Sequence, residues 1–212
     1  MLQACVKTTN MKSKIKLILF DLGGVIVELS GTPVKNEWLA GNDTAEESWR
    51  KWLTSDIPRA FEMGKLDADE FARQMVADLD LSVSATEFKE HVRKIPVGLY
   101  PGTLELLQTL KTTHKIALFS NSNELHWERK MGEMGLAGVF DYEFASHLIH
   151  RVKPDAAAFE YVVAELGLEP SEILFLDDNM LNVAGARALG IQAEQVKGLA
   201  EVKTCLRSYE LL

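Results

Sequence analysis

A carboxylate, a hydroxyl, an ammonium group and a carboxylate pair sit at or beside the ends of short apolar runs in this chain. Asp21 closes Lys16-Leu17-Ile18-Leu19-Phe20 and is followed by Gly23 and Gly24. Ser120 closes Lys115-Ile116-Ala117-Leu118-Phe119, and Asp177-Asp178 closes Ile173-Leu174-Phe175-Leu176. Lys153 stands between the last two, in Arg151-Val152-Lys153-Pro154-Asp155. Three carboxylates gathered at one place repel one another, and burial worsens this. A hard divalent cation is the usual remedy; Mg²⁺ takes carboxylate oxygens, keeps several waters and shares its site with a substrate phosphate. Ser120, Lys153 and free backbone N–H groups suit that phosphate. A carboxylate beside it can attack and form an aspartyl-phosphate. Each residue also has a purely structural use. Asp21, Asp177 and Asp178 can cap turns, Ser120, Asn121 or Ser122 can open a helix, and Lys153 can simply be solvated.

The elements that must position these groups follow from pattern. Four to eight apolar residues bounded by turn signals read as buried strands. Helical patterns lie between them. Thr103 to Lys111 has Leu104, Leu107 and Leu110 on one side. Glu124 to Met134 is closed by Gly135, and Ala156 to Leu166 turns Phe159, Val162, Val163 and Leu166 inward before Gly167. A further helix runs to Leu189, stopped by Gly190. Phe140 to Ala145 and Ile191 to Val196 read as weaker strands, and Leu199 to Leu212 as a terminal helix. Such alternation implies βαβ units, right-handed crossovers and a parallel sheet whose carboxyl ends share one edge. Asp21, Ser120 and Asp177–Asp178 then converge on one crevice, which the Lys153 loop can reach.

Residues from about Val34 to Gly98 break that alternation and read as helices. Thr44 to Glu47 has capping-box spacing, with Trp49, Trp52 and Leu53 following. Asp67 to Leu81 carries acids in its first turn, then Phe71, Met75 and Leu79 on one face. Ser84 to Glu87 is another capping box, ahead of Phe88, Val92 and Ile95. The expected organisation is an α/β core at 15–30 and 99–212, a helical cap at 31–98 inserted over the crevice, and a flexible leader at 1–14, with Met11 an alternative start. Substrate choice would lie in the cap, where Trp38, Trp49, Trp52, Arg59, Phe61 and Glu62 are of most interest. His91, Lys94 and Arg73 read as a solvated face. His147, His150 and Arg151 could border the site without forming a metal cluster.

Composition bounds the rest. The 212 residues carry a formal net charge of −8, which argues against nucleic acid as a partner. The apolar runs are too short to span a membrane. Two cysteines, Cys5 and Cys205, near opposite ends point to no disulfide framework, and a cytoplasmic setting is expected.

Taken in order, Asp21-Leu22-Gly23-Gly24-Val25, Ser120-Asn121, Lys153-Pro154 and Leu176-Asp177-Asp178-Asn179, with Asn182 to Gly190 after them, resemble the four motifs of haloacid dehalogenase-like (HAD) hydrolases. The resemblance covers almost the whole chain from about residue 15, and the insertion resembles a C1-type cap. The flavour is that of small sugar-phosphate phosphatases and of the phosphatase half of soluble epoxide hydrolases. The resemblance implies a Rossmann-like, doubly wound sheet and an Mg²⁺-dependent phosphatase acting on a small phosphorylated metabolite. It implies that Asp21 is nucleophile and metal ligand and that Ser120 and the backbone around Asn121 hold phosphate. Lys153 would steady both phosphate and Asp21, while the Gly23 carbonyl and Asp177 with Asp178 would complete the metal site. One position departs from the pattern. Most such phosphatases carry a second Asp two residues after the nucleophile, as general acid and then base; Gly23 cannot move a proton. A slow phosphatase limited to good leaving groups, substitution by Glu28, Arg59, Glu62 or His126, and phosphate binding without useful turnover are all open. So is a metal-free 2-haloacid dehalogenase, which also lacks that Asp.

Overall fold

The computed structural model describes residues 15–39 and 55–212. The capping box at Thr44 and the tryptophans at 49 and 52 lie outside these residues. Five parallel strands form the central sheet in the order β5-β4-β1-β6-β7: β1 Leu17–Phe20, β4 Lys115–Ser120, β5 Tyr142–Ala145, β6 Ile173–Asp177 and β7 Gln192–Gln195. Helices cover both faces, as a doubly wound parallel sheet requires. Ile18, Phe20, Leu118, Leu174 and Leu176 face α4 (Thr103–Lys111) and α9 (Gly198–Ser208). Leu17, Leu19, Ala117, Phe119, Ile173 and Phe175 face α7 (Ala156–Leu166) and α8 (Met180–Ala188). Alternate residues of each strand thus feed two cores, which is why the runs read as continuously apolar rather than alternating. β1 is central, so Asp21 emerges at the middle of the carboxyl edge.

Among the described residues, three α-helices lie between the first and second strands of the central sheet: α1 Asp56–Glu62, α2 Ala68–Asp78 and α3 Ala85–Arg93. Ser55, Asp67 and Ser84 cap them, accepting from the backbone N–H of Ile57, Glu70 and Glu87. Phe61, Phe71, Met75, Phe88, Val92 and Trp38 form their shared core, with Phe61 stacked on Phe71 at 4.1 Å. This core docks on the sheet edge through specific contacts. Ala68 N–H donates to Glu124 Oε1 at 2.6 Å, one His126 ring nitrogen lies 2.8 Å from the Val92 carbonyl, and one His150 ring nitrogen lies 2.8 Å from the Met63 carbonyl. Gly64 makes the closest approach. It has φ +66°, and a Cβ there would lie 2.4 Å from the His147 carbonyl oxygen. Gly64→Ala should therefore lower the unfolding free energy by about 1–3 kcal/mol in urea titration, combining backbone strain with that clash. Gly135→Ala, also at positive φ but with open space around it, should show the smaller backbone cost alone, about 1 kcal/mol.

Several local expectations are corrected. Val27–Leu29 (β2) and Pro96–Leu99 (β3) pair antiparallel in a separate two-stranded sheet, so the helical stretch expected from about Val34 to Gly98 ends before Pro96. Leu106, not Leu104, joins Leu107 and Leu110 in the core; Leu104 is 38% exposed. The helix from Glu124 is α-helical only to Glu128 (α5) and continues as a single π turn, Arg129–Glu133. A short α6, Ser146–Ile149, follows β5 directly. His91 is no free surface group: one ring nitrogen lies 2.8 Å from the Thr32 carbonyl. Among the described residues no helix is long and apolar enough to cross a membrane.

Candidate functional site

The carboxyl ends of β1, β4 and β6 meet at Lys153, an almost completely buried ammonium. Its three protons are all used: Nζ donates to Asp21 Oδ1 at 2.8 Å, Asp177 Oδ2 at 2.6 Å and the Phe119 carbonyl at 2.8 Å. Phe119 and Phe175 flank it at 5.2 and 5.1 Å. Burial alone would push this lysine down, but Asp21 and Asp177 outweigh it and hold its pKa raised. Burial pushes the Asp177 carboxyl up, with Asp21 adding to the rise and Lys153 opposing it. A buried ion pair contributes little net stability, yet losing one partner leaves an uncompensated charge. Lys153 is therefore what permits two carboxylates to be buried together.

Each carboxylate is fixed by local backbone design. Asp177 Oδ1 accepts from Asn179 N–H at 2.8 Å and from Asn182 Nδ2 at 3.0 Å. Asn179 then caps α8 through Leu181 N–H. Asp178 is half-buried beside Gly24, whose φ of +71° and missing Cβ leave the space: a Cβ there would lie 2.5 Å from Asp178 Oδ2. Burial pushes the Asp178 carboxyl up to about 6, with Asp21 and Asp177 adding to the rise. Asp21, Asp177 and Asp178 can each offer an oxygen within 4.8 Å of the others. Three hard oxygen donors gathered this closely suit a divalent cation of the Mg²⁺ type.

On the β4 side, Ser120 is buried at the strand end. The Asn121 amide is spent on the loop that carries Lys153: Lys153 N–H donates to Asn121 Oδ1 at 2.9 Å, and Asn121 Nδ2 donates to the Lys153 carbonyl at 3.0 Å. Its side chain thus positions Lys153. The cap of α5 is Asn123, which accepts from His126 N–H at 3.1 Å, rather than Ser120, Asn121 or Ser122. Ser122 instead exchanges hydrogen bonds with Ser146, its N–H donating to Ser146 Oγ and its carbonyl accepting from that hydroxyl, both at 2.9 Å.

Sequence reasoning missed Lys130 and Asn182. Lys130 is buried, and its Nζ lies 3.4 Å from Ser122 Oγ. Burial pushes it down to about 8, while Asp21 and Glu62 pull it up and Lys153 opposes them. It sits in the π turn, so helical periodicity carried no signal for it. Asn182 stood within the motif-like run Asn182 to Gly190, but only the fold shows its amide against Asp177.

The groups considered for proton transfer separate clearly. Glu28 is exposed on β2. Arg59 is an exposed partner of Asp155. His126 is engaged at both ring nitrogens, by the Val92 carbonyl and Asn123, and burial pushes it down to about 4. Glu62 is half-buried and sits within the fields of Lys130, Lys153, Arg59 and Asp21; desolvation pushes its carboxyl up to about 7. Trp38 and Phe61 are buried in the core shared by the inserted helices and so are not surfaces for a substrate.

Comparison with known proteins agrees with this geometry. Residues 15–190 match the family described as haloacid dehalogenase-like hydrolase. D-ribitol-5-phosphate phosphatase of Bacteroides thetaiotaomicron is 26% identical over 194 residues, covering 88% of this chain and 94% of its own. The (S)-2-haloacid dehalogenase of a Pseudomonas species is 28% identical over 187 residues, covering 83% and 80%. A crystal structure of a HAD family enzyme from B. thetaiotaomicron superposes with a TM-score of 0.75 at 26% identity, covering 87% of this chain and 94% of that one. A complex of that enzyme with magnesium and inorganic phosphate gives 0.68 at 24% identity, covering 86% and 94%. With the match spanning most of the chain and the five-stranded parallel sheet carrying its carboxylates at one edge, the protein belongs to the haloacid dehalogenase-like hydrolases.

Proposed function

We propose that this hydrolase is an Mg²⁺-dependent phosphomonoesterase acting on a small phosphorylated metabolite such as a sugar phosphate. The observation that carries this is the buried Lys153 bridging Asp21 and Asp177, with Asp178 completing a three-carboxylate cluster. A halide site has no use for that acidic cluster. The phosphatase relative and the magnesium and phosphate complex of a structural neighbour point the same way. Mg²⁺ would be held by Asp21, the Gly23 carbonyl and the Asp177–Asp178 pair, where it would neutralise charge on the transferring phosphoryl group. Both Asp177 oxygens already accept hydrogen bonds, so Asp178 offers the less committed carboxylate.

The chain's own residues divide the remaining work. Asp21 Oδ attacks phosphorus as the bond to the leaving oxygen breaks, giving an aspartyl-phosphate. Lys153 holds Asp21 in position and offsets charge gathering on the phosphoryl oxygens. Ser120 Oγ and the backbone near Asn121 donate to those oxygens. Water then attacks phosphorus, the bond to Asp21 breaks, and inorganic phosphate leaves. A cytoplasmic setting suits a chain with two cysteines.

A phosphomonoester panel assayed with Mg²⁺ and with chelator tests the reading. Removing metal should lower the rate on the order of 10²–10³-fold, the several kcal/mol a bound cation supplies. A rate indifferent to chelator would overturn it. Metal-free halide release from 2-chloropropionate would instead favour the dehalogenase reading, which Gly23 and the dehalogenase relative keep in play.

A further inference from the structure

We propose that Glu62, brought to the site by the end of α1, moves the proton that no residue at position 23 can move. The inference rests on the phosphatase reading and goes beyond it by naming the group that makes turnover possible. Its basis is placement. Arg59 and Glu62 are three apart on α1 and share a face. Arg59 pairs with Asp155, two residues past Lys153. Glu62 lies one turn further along that face, among the charges of Lys153 and Asp21. The turn after Glu62 is pinned, with His150 on the Met63 carbonyl and Gly64 pressed against His147. Glu62 is half-buried, and among the described residues it has no hydrogen-bond or ion-pair partner of its own. A carboxyl held in place yet committed to nothing is what proton transfer needs.

The charged groups facing it are Lys130 from the π turn, Lys153 from its loop, Arg59 from α1 and Asp21 from the end of β1. The cations oppose the effect of desolvation without cancelling it, so the carboxyl titrates near neutrality. In the first step protonated Glu62 gives its proton to the leaving oxygen as the P–O bond breaks, releasing the alcohol. In the second, the carboxylate takes a proton from water as that oxygen bonds to phosphorus and the bond to Asp21 breaks. Glu62 ends protonated, Asp21 ends as carboxylate, and phosphate departs.

The test compares wild type, Glu62→Gln and Glu62→Asp, all with Mg²⁺, on an alkyl monophosphate and on p-nitrophenyl phosphate. Glu62→Gln should lower kcat on the alkyl ester by roughly 10²–10⁴-fold. The nitrophenolate leaving group needs no proton, so that substrate should show a burst of about one equivalent followed by slow turnover. The kcat limb near neutral pH should vanish in Glu62→Gln, and Glu62→Asp should recover part of the rate. Full alkyl-phosphatase rate and an unchanged pH profile in Glu62→Gln would overturn the inference. So would an equal loss on both substrates accompanied by lost binding of inorganic phosphate, which marks a structural role. If wild type itself releases no phosphate from any ester, the phosphatase reading fails first, and the inference falls with it.

Discussion

Asp21→Asn is expected to abolish phosphate-ester turnover, lowering kcat on the order of 10⁴–10⁶-fold, the scale seen when a covalent nucleophile is removed. The amide that replaces the carboxylate cannot form the acyl-phosphate, and no neighbour can stand in. Asp177 is fully buried and held at both oxygens by Lys153, Asn179 and Asn182. Asp178 Oδ2 sits against Gly24, and this nearby carboxylate of the metal cluster is not placed as Asp21 is, at the end of the central strand. The fold should survive the change. Lys153 keeps Asp177 at 2.6 Å and the Phe119 carbonyl at 2.8 Å, and the variant loses one of three mutually repelling carboxylates. Its melting temperature without metal should stay within about 4 °C of wild type, a difference of no more than about 1 kcal/mol. Added Mg²⁺ should raise the melting point of wild type more than that of the variant, because one ligand is gone. Retained turnover in a folded Asp21→Asn protein would remove Asp21 from the chemistry.

The residues at the ends of β1, β4 and β6 were legible because strand position and chemistry coincide there: a carboxylate or hydroxyl after a buried apolar run has few other places to lie. The Lys153 loop was legible for a related reason, since its approach to a shared edge follows from right-handed crossovers. What could not be read depends on contacts between segments far apart in the chain. β2 and β3 are three and four residues long and pair across the whole inserted block, so neither carries a local strand signal. Lys130 lies in a π turn, where one extra residue rotates the following face by roughly 100° and defeats a 3.6-residue pattern. The choice between Leu104 and Leu106 was a phase error of the same kind, decided by where β4 sits against α4. Glu62 was visible as a cap residue of interest, but nothing local distinguished it from Glu28 or His126. Only the docking of α1 beside Asp155 gives it the field of Asp21, Lys130 and Lys153.

Gly23→Asp is expected to do little in the wild-type background and much in Glu62→Gln. The backbone permits the change, because Gly23 has no positive φ and the atoms nearest its Cβ would be those of the Leu29 side chain, Cδ1 closest at 3.1 Å. That is the tip of a side chain 48% exposed, free to swing aside. A carboxylate placed two residues past the nucleophile can serve the leaving oxygen that Glu62 otherwise serves. With Glu62 present the second proton donor is redundant, and kcat on an alkyl monophosphate should change less than about tenfold. With Glu62→Gln the same substitution should restore most of a loss of about 10²–10⁴-fold, or roughly 3–5 kcal/mol of barrier. Two residues that do one job give this strongly non-additive cycle, whereas independent contributions would add. An equal gain in both backgrounds would mean that proton transfer limits the natural enzyme and that Glu62 does not supply it. No gain in either, in folded proteins that bind phosphate normally, would place the proton's route through another group. The inserted helices would then take no part in the bond changes. Rescue confined to the Glu62→Gln background would instead make the inserted helices part of the chemistry, with α1 supplying the carboxylate that the core lacks at position 23.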